Sequence, residues 1–176
     1  MLFNPEELPF NISQIPEVFG SFRKRCEKDA VVKPVLTLTK PLPSSNLLEK
    51  SYELPNLSDL GLESTETDHR SAFPFRGGTA NSMERLRLYF WETKKLSYYK
   101  NTRNGLVGTD YSSKFSPWLA NGSISPKMIY WEIKRYEKSV QKNQSTYWLI
   151  FELIWRDYFK YISMKHGDKI FKIKGI

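Results

Sequence analysis

Glu152 and Arg156 lie four residues apart within a stretch that is otherwise mainly apolar and aromatic, STYWLIFELIWRDYFKYISMKHG (145–167). On a helix turning 100° per residue, Glu152, Arg156 and Ser163 fall within about 40° of one another. Burying an ion pair is costly unless further groups complete its hydrogen bonds. The spacing therefore predicts a polar group opposite this strip, which is either a structural partner or a bound ligand.

A second cluster of reactive types is the run Ser112, Ser113, Lys114, Phe115 and Ser116, directly before Pro117. Hydroxyls, an ammonium and the free N–H groups of a helix start are typical of a phosphate or pyrophosphate cradle. The glycines at 105 and 108 would let this loop approach an anion closely. An ordinary capped loop, whose serines bond only the backbone, is the alternative interpretation.

The sequence shows no pair of nucleophile and base. Asp157, the carboxylate nearest to Glu152, points about 140° away from it on a helix. One cysteine and two distant histidines argue against a zinc site. If the chain does chemistry, a cofactor therefore has to supply the reactive centre.

The composition is that of a globular protein, with 40% hydrophobic and 26% charged residues among 176. No apolar run reaches the length of about 20 residues that spans a bilayer, and the N-terminal sequence is not typical of a signal or transit peptide. Residues 1–80 carry nine Lys/Arg against eleven Asp/Glu, whereas residues 81–176 carry eighteen against eight. All five tryptophans lie in that basic part, and cations mixed with aromatic rings are typical of nucleic-acid or nucleotide binding.

The elements that must position these residues are mainly helices. Residues 12–29 predict a short amphipathic helix opened by Pro16, and the proline-rich residues after 31 predict an extended linker. Ser-Pro at 116–117 and at 125–126 marks two further helix starts, and a Ser145 cap is predicted for the last helix.

Three motifs in fixed order resemble the photolyase/cryptochrome superfamily, and specifically the DASH cryptochromes. They are TRNG, DYS-x-KFSPWLA-x-G-x-ISP and STYW-x-x-FELIWRD-[YF]-F. The resemblance is strong from residue 85 to 176 and weaker at LPFNISQIPEVFGSFRK (8–24). It implies a mainly α fold in which residues 81–176 are the N-terminal portion of a helical FAD-binding domain. Residues 1–30 would be the tail of an α/β antenna domain, and residues 31–80 an irregular interdomain linker.

The resemblance also implies roles for single residues. The residues expected to hold FAD are Tyr99, Ser112, Ser113, Lys114, Phe115, Ser116 and Arg156. A flipped pyrimidine dimer would rest against Trp155 and hydrogen-bond to Glu152, the two expected catalytic residues. Arg103 corresponds to a contact with a DNA phosphate, and no metal is expected.

Intact relatives would act as light-driven lyases of the deoxyribodipyrimidine photo-lyase type. Reduced FAD, excited by blue light, passes an electron to a cyclobutane dimer in DNA, preferably single-stranded DNA. A folate antenna such as methenyltetrahydrofolate can accompany FAD in such proteins. We expect a monomer with no membrane partner, and the sequence predicts no particular compartment.

Two other functions share these residues. One is a blue-light photoreceptor without repair activity, and the other is a flavin-independent nucleic-acid-binding module that uses only the basic aromatic part. A family member would have an antenna domain before Met1 and more of the FAD-binding domain after Ile176. We therefore expect this chain to be a partial one that is inactive alone and binds FAD poorly or not at all.

Overall fold

The computed structural model describes residues 1–36, 43–50, 52–64, 66, 68–71, 73 and 75–176. Over these ranges the protein is helical and contains no β-strand, which confirms the predicted mainly α class. The chain divides into two compact units. One comprises Met1–Val35 with Phe75–Ile176, and the other is Leu36–Pro74.

Six α-helices build the larger unit. They are α1 (Phe19–Asp29), α2 (Thr79–Arg87), α3 (Tyr99–Thr102), α4 (Ser116–Asn121), α5 (Pro126–Ser139) and α6 (Gln144–His166). A π-helical turn, Leu88–Glu92, continues α2, and a 3-10 turn, Lys95–Tyr98, leads into α3. Further 3-10 turns lie at Pro5–Glu7, Ile12–Gln14 and Gly167–Phe171.

Helix α1 begins later than the sequence predicts. Residues Ile12–Gln14 form a separate 3-10 turn, and the backbone at Val18 is still extended, so Pro16 does not open the helix. Phe19, Phe22 and Cys26 are buried, and their spacing marks one face of a helix. Burial raises the pKa of the Cys26 thiol to about 12, so this cysteine acts as a packing residue.

The two predicted helix caps near α5 and α6 have different outcomes. Ser125 caps α5 as expected, because its hydroxyl accepts a hydrogen bond from the N–H of Met128 at 3.1 Å. The predicted Ser145 cap is wrong. The side chain of Asn143 caps α6 by accepting from the N–H groups of Ser145 and Thr146, so Ser145 lies inside the helix.

The N-terminal segment packs on α6 through the buried carboxylate of Asp157. One oxygen of Asp157 accepts hydrogen bonds from the N–H of Leu2 at 2.7 Å and of Phe3 at 3.0 Å. The hydroxyl of Tyr161 donates to the carbonyl of Phe3 at 2.8 Å. Residues 1–35 therefore share one hydrophobic core with the helices. Their assignment to the tail of an antenna domain stays a prediction.

The smaller unit contains two 3-10 turns, Ser44–Asn46 and Ser58–Leu60. Its residues 43–50 and 52–64 are exposed to solvent. The predicted linker 31–80 includes residues 37–42, 51, 65, 67, 72 and 74, which lie outside the described residues. The linker and its bounds stay a prediction.

Helix α6 is less enclosed than its composition suggests. An apolar residue on every side predicts a fully buried helix, yet Phe159 is 61% exposed and Met164 is 52% exposed. The buried side packs against α1, α3 and α5. No helix in the described ranges, including the long α6, is both long enough and apolar enough to span a bilayer.

Candidate functional site

The polar strip of α6 finds partners on two other elements. Glu152 forms an ion pair with Arg103, which follows α3, and the Arg103 Nη1 lies 2.9 Å from the Glu152 Oε1. The Nη2 of Arg156 donates to the carbonyl of Leu119 in α4 at 2.9 Å. The sequence left open a structural partner or a ligand, and the structure supplies structural partners for both charges.

The Glu152–Arg103 pair remains accessible, since the side chains are 30% and 29% exposed. The indole of Trp148 lies beside it, with the Arg103 guanidinium 5.6 Å and the Lys100 ammonium 4.6 Å from the ring centre. Cations over an indole face stabilise both groups. This surface therefore offers a carboxylate, two cations and an aromatic ring within one small area.

One buried donor at this surface, Nε1 of Trp148, lacks a hydrogen-bond acceptor in the described part of the protein. The Nη1 of Arg156 also makes no hydrogen bond there, but it lies 3.8 Å from Oδ1 of the buried Asp157 carboxylate. A buried donor left without an acceptor costs free energy, and an oxygen atom of a ligand would satisfy the Trp148 donor.

Tyr99 lies near this surface and near the loop that leads into α4, residues 109–116, called the serine loop below. The side chain is only 7% exposed, and burial raises the pKa of its phenol to about 12. The negative charge of Glu152 adds to the rise in pKa, while Arg103 and a hydrogen bond with the Ser113 side chain oppose it. Tyr99 is therefore near both Glu152 and Ser113, one from each predicted cluster.

The predicted residues of the serine loop differ in their exposure to solvent. Ser113 is 8% exposed, and Ser112 and Lys114 are half-buried. The Lys114 ammonium lies 3.7 Å from the centre of the Tyr111 ring and contacts its hydroxyl. Ser116 is exposed and is the first residue of α4 rather than its cap.

Phe115 lies in the hydrophobic core, where it is 2% exposed and packs edge-on against Phe90. Its ring therefore faces away from solvent, and only its backbone can meet a ligand. The sequence prediction treated residues 112–116 as one contact surface, so it did not separate this core residue from its neighbours.

The backbone of the loop is shaped to receive an anion. Within the described residues, the N–H groups of Ser112, Ser113 and Lys114 donate no hydrogen bond. Lys114 has φ of 60°, and Phe115 returns to φ of −77°, an alternation that forms an N–H concavity. Helix α4 has only six residues, so the loop rather than a helix dipole provides the donors.

Arg85 in α2 holds this loop through its carbonyl groups. The sequence interpretation did not identify this residue. Its guanidinium donates to the carbonyls of Thr109, Ser112 and Ser113 at 3.0–3.1 Å, and to the carboxylate of Asp110 at 2.7 Å. A signal existed in the sequence. Arg85 shares the helical spacing of the buried residues Ser82, Leu86 and Tyr89, so a charge lies on the buried face.

Gly105 packs closely against the serine loop. A methyl group at this position would lie 3.0 Å from Cβ of Tyr111 and 3.2 Å from the carbonyl oxygen of Thr102. The missing side chain thus lets the turn after α3 pack on the serine loop. The predicted close approach of Gly105 to an anion stays a prediction.

Trp155 is half-buried in a stack of aromatic rings. Phe19 of α1 covers one face with 3.5 Å between ring centres and 11° between the planes. Phe159 lies 5.3 Å away at 23°, and Phe151 lies 6.4 Å away, edge-on. A base that stacked on Trp155 would therefore have to use the area that Phe19 leaves free.

The donors on this surface fit a dinucleotide with a pyrophosphate. The unbonded N–H groups of residues 112–114, the hydroxyls and Lys114 match phosphate oxygens, and the Trp148 Nε1 donor matches a further acceptor. The described residues contain no cluster of His, Cys, Asp and Glu suited to a metal ion.

Comparison with known proteins adds independent information. No family model matches the chain. A DASH cryptochrome of Gloeobacter violaceus is 49% identical over 175 residues, covering 99% of this chain and 35% of the relative. A DASH cryptochrome of Xenopus laevis is 48% identical over 179 residues, covering 99% of this chain and 34% of the relative.

A solved structure agrees with these relatives. The crystal structure of a cryptochrome from Synechocystis sp. matches 98% of this chain and 35% of its own, with a TM-score of 0.87 and 45% sequence identity. The chain thus spans about a third of the length of the curated relatives it matches. The likeness in sequence and in structure extends over nearly every residue, so the chain is similar to about a third of a DASH cryptochrome along its whole length.

Proposed function

We propose that this chain forms part of a flavin-dependent, blue-light-driven DNA photolyase-like protein that repairs cyclobutane pyrimidine dimers, preferably in single-stranded DNA. The observation that carries the proposal is that Tyr99 lies near both clusters. An anion-shaped loop lies on one side and the Glu152–Arg103–Trp148 surface on the other. Such a pair suits a cofactor with phosphates at one end and a base-binding surface beside it.

Bound FAD, once reduced and excited by blue light, would supply the electron that splits the dimer. The residues of this chain hold and orient the reactants. The loop N–H groups, Ser112, Ser113 and Lys114 would bind the pyrophosphate, and Tyr99 and Arg156 would border the same cofactor. Phe115 would contribute through its backbone, and Ser116 would lie at the outer edge.

Glu152 and Trp155 would position the dimer. A carboxylate oxygen of Glu152 can accept a hydrogen bond from a pyrimidine N–H, and Trp155 offers apolar area for stacking. Arg103 already neutralises Glu152, so a DNA phosphate near Arg103 would compete for the same guanidinium. DNA entry would then loosen this ion pair and free Glu152 for the flipped base.

A chimera tests the proposal at the level of a whole protein. This chain would replace the matching part of the Synechocystis cryptochrome. We expect stoichiometric flavin and blue-light repair of a thymine-dimer-bearing single-stranded oligonucleotide. Glu152→Ala should lower the repair yield at least about tenfold with the flavin band unchanged, whereas the exposed control Lys160→Ala should not.

The other results of this experiment point elsewhere. A chimera with flavin but no repair would favour the non-repair photoreceptor. Flavin-independent binding of undamaged strands that Glu152→Ala leaves intact would favour a plain nucleic-acid-binding module. A chimera that holds no flavin would contradict the proposal. We further propose that the isolated chain holds FAD only weakly, since it spans about a third of its relatives.

A further inference from the structure

We propose that Arg85 is the positioning residue of the phosphate-binding loop. Its guanidinium binds carbonyl oxygens on one side of the loop, and this orients the N–H groups of the following residues toward the ligand on the other side. This inference rests on the proposed flavin function and concerns a residue that does not touch the ligand. Arg85 is 3% exposed and reaches the loop from α2.

The geometry of the peptide bond carries the argument. In a trans peptide the carbonyl of one residue and the N–H of the next point in opposite directions. Arg85 accepts no bond and donates to the carbonyls of Ser112 and Ser113 at 3.0 and 3.1 Å. The N–H groups of Ser113 and Lys114 must therefore point away from Arg85, toward the open side of the loop.

The same guanidinium anchors the start of the loop. It donates to the Thr109 carbonyl at 3.1 Å and pairs with Asp110 at 2.7 Å, so four bonds fix five residues of backbone. A guanidinium presents several donors in a rigid fork, whereas a lysine ammonium is a compact point charge. Arg85→Lys therefore keeps the charge and removes the ability to hold both ends of the loop.

Arg85 also lies over Tyr89, with 5.0 Å from the guanidinium carbon to the ring centre. Tyr89 belongs to the core, so it holds the Arg85 side chain on one side, while that side chain holds the loop on the other. The unbonded N–H groups of Ser113 and Lys114 are thus held in place before any ligand arrives. Such preorganisation lowers the ordering cost of binding.

The first test measures the loop in the ligand-free chain by ¹⁵N relaxation. We expect backbone order parameters of about 0.85 at Ser113 and Lys114 in the wild-type chain. In Arg85→Lys they should fall below about 0.6, with α5 unchanged. The matched control is Arg87→Lys, an exposed arginine on the same helix that pairs with Glu92.

Unchanged order at residues 109–114 in Arg85→Lys would overturn the proposal. A uniform loss of order throughout the chain would overturn it as well, because Arg85 would then be a general core residue. If Arg85→Lys fails to fold, Asp110→Ala provides the milder change, since it removes the acceptor of one of the four bonds. Order parameters at Ser113 and Lys114 should then fall less steeply, and no change there would contradict the proposal.

The second test uses the chimera described above and compares FAD with riboflavin, which shares the flavin ring but has no phosphate. We expect Arg85→Lys in the chimera to weaken FAD binding by about tenfold and riboflavin binding by less than about twofold. Equal losses for both ligands would overturn the assignment to the phosphates. A wild-type chimera that binds neither ligand would count against the proposed function, and the order parameters of the ligand-free chain would still decide the role of Arg85.

Discussion

Glu152 and Asp157 are two carboxylates five residues apart on α6, and their surroundings differ almost completely. Glu152 is 30% exposed and pairs with Arg103. Asp157 is fully buried and accepts hydrogen bonds from the N–H groups of Leu2 and Phe3. The same functional group is thus accessible to solvent on one side of the helix and serves as a structural anchor on the other.

The difference explains why only one of them suits a functional site. Glu152 is held by a side chain that can move, and its second oxygen remains open to a ligand. Asp157 is held by backbone N–H groups of a packed segment. Burial raises the pKa of Asp157, while the bonds from Phe3 and Leu2, the Met1 amine and Arg156 lower it.

The largest effect in this comparison should come from Asp157→Ala. The substitution leaves two buried N–H groups without an acceptor and detaches the N-terminal segment from α6. We expect a loss of about 3 kcal/mol in the free energy of unfolding, measured with urea. Lys160→Ala, an exposed change on the same helix, should lie within about 0.5 kcal/mol of wild type. A small loss for Asp157→Ala would mean that the segment is held mainly by its apolar contacts.

Asp157→Asn sharpens the comparison through pH. Desolvation raises the folded-state pKa of Asp157 above the ordinary value of 3.8, so the folded state retains a proton that the unfolded state releases. As pH rises from about 4 through the folded-state pKa, the wild-type chain should lose stability relative to Asp157→Asn. Urea unfolding of both proteins at several pH values measures this difference. A difference independent of pH would show that the carboxylate is ionised without cost.

Tyr99→Phe tests the connection between the Glu152 surface and the serine loop. It removes a buried hydroxyl that contacts Ser113, so we expect a loss of about 1 kcal/mol in the free energy of unfolding. Tyr98→Phe provides the matched control, since Tyr98 is 59% exposed and should tolerate the change. Equal stability of Tyr99→Phe and wild type would indicate that water replaces this contact.

The smallest effect on stability should come from Glu152→Gln. The ion pair with Arg103 is about a third exposed on both sides, and such pairs contribute little. We expect a change of at most about 0.5 kcal/mol in the free energy of unfolding. A double-mutant cycle with Arg103→Gln measures the coupling directly. A loss as large as that of Asp157→Ala would make Glu152 a structural residue as well.

Much of the helical plan could be predicted from local signals. Ser125-Pro126 marked the start of α5, since a cap and a proline at the first position act within one turn. The α6 cap was misplaced by two residues because Asn143 and Ser145 are both good cap residues. Pro16 was taken as the opening of α1, although the extended backbone at Val18 delays the helix to Phe19.

The candidate site was predictable in its members and less so in its arrangement. Spacing alone placed Glu152 and Arg156 on one strip of α6 and assigned the serines of the loop to anion binding. It also placed a charge, Arg85, on the buried face of α2, although this signal was overlooked. The order of the motifs was enough to indicate the resemblance to DASH cryptochromes, which the comparisons confirm.

Residue spacing determines which side chains share a face of one helix, because the turn per residue is constant. The partners across elements depend on the tertiary structure. Arg103 meets Glu152 across 49 positions, Arg85 reaches Ser113 across 28, and Asp157 accepts from Leu2 across 155. These pairings follow from how the helices pack, since packing decides which buried polar groups meet and which carboxylate stays open to solvent.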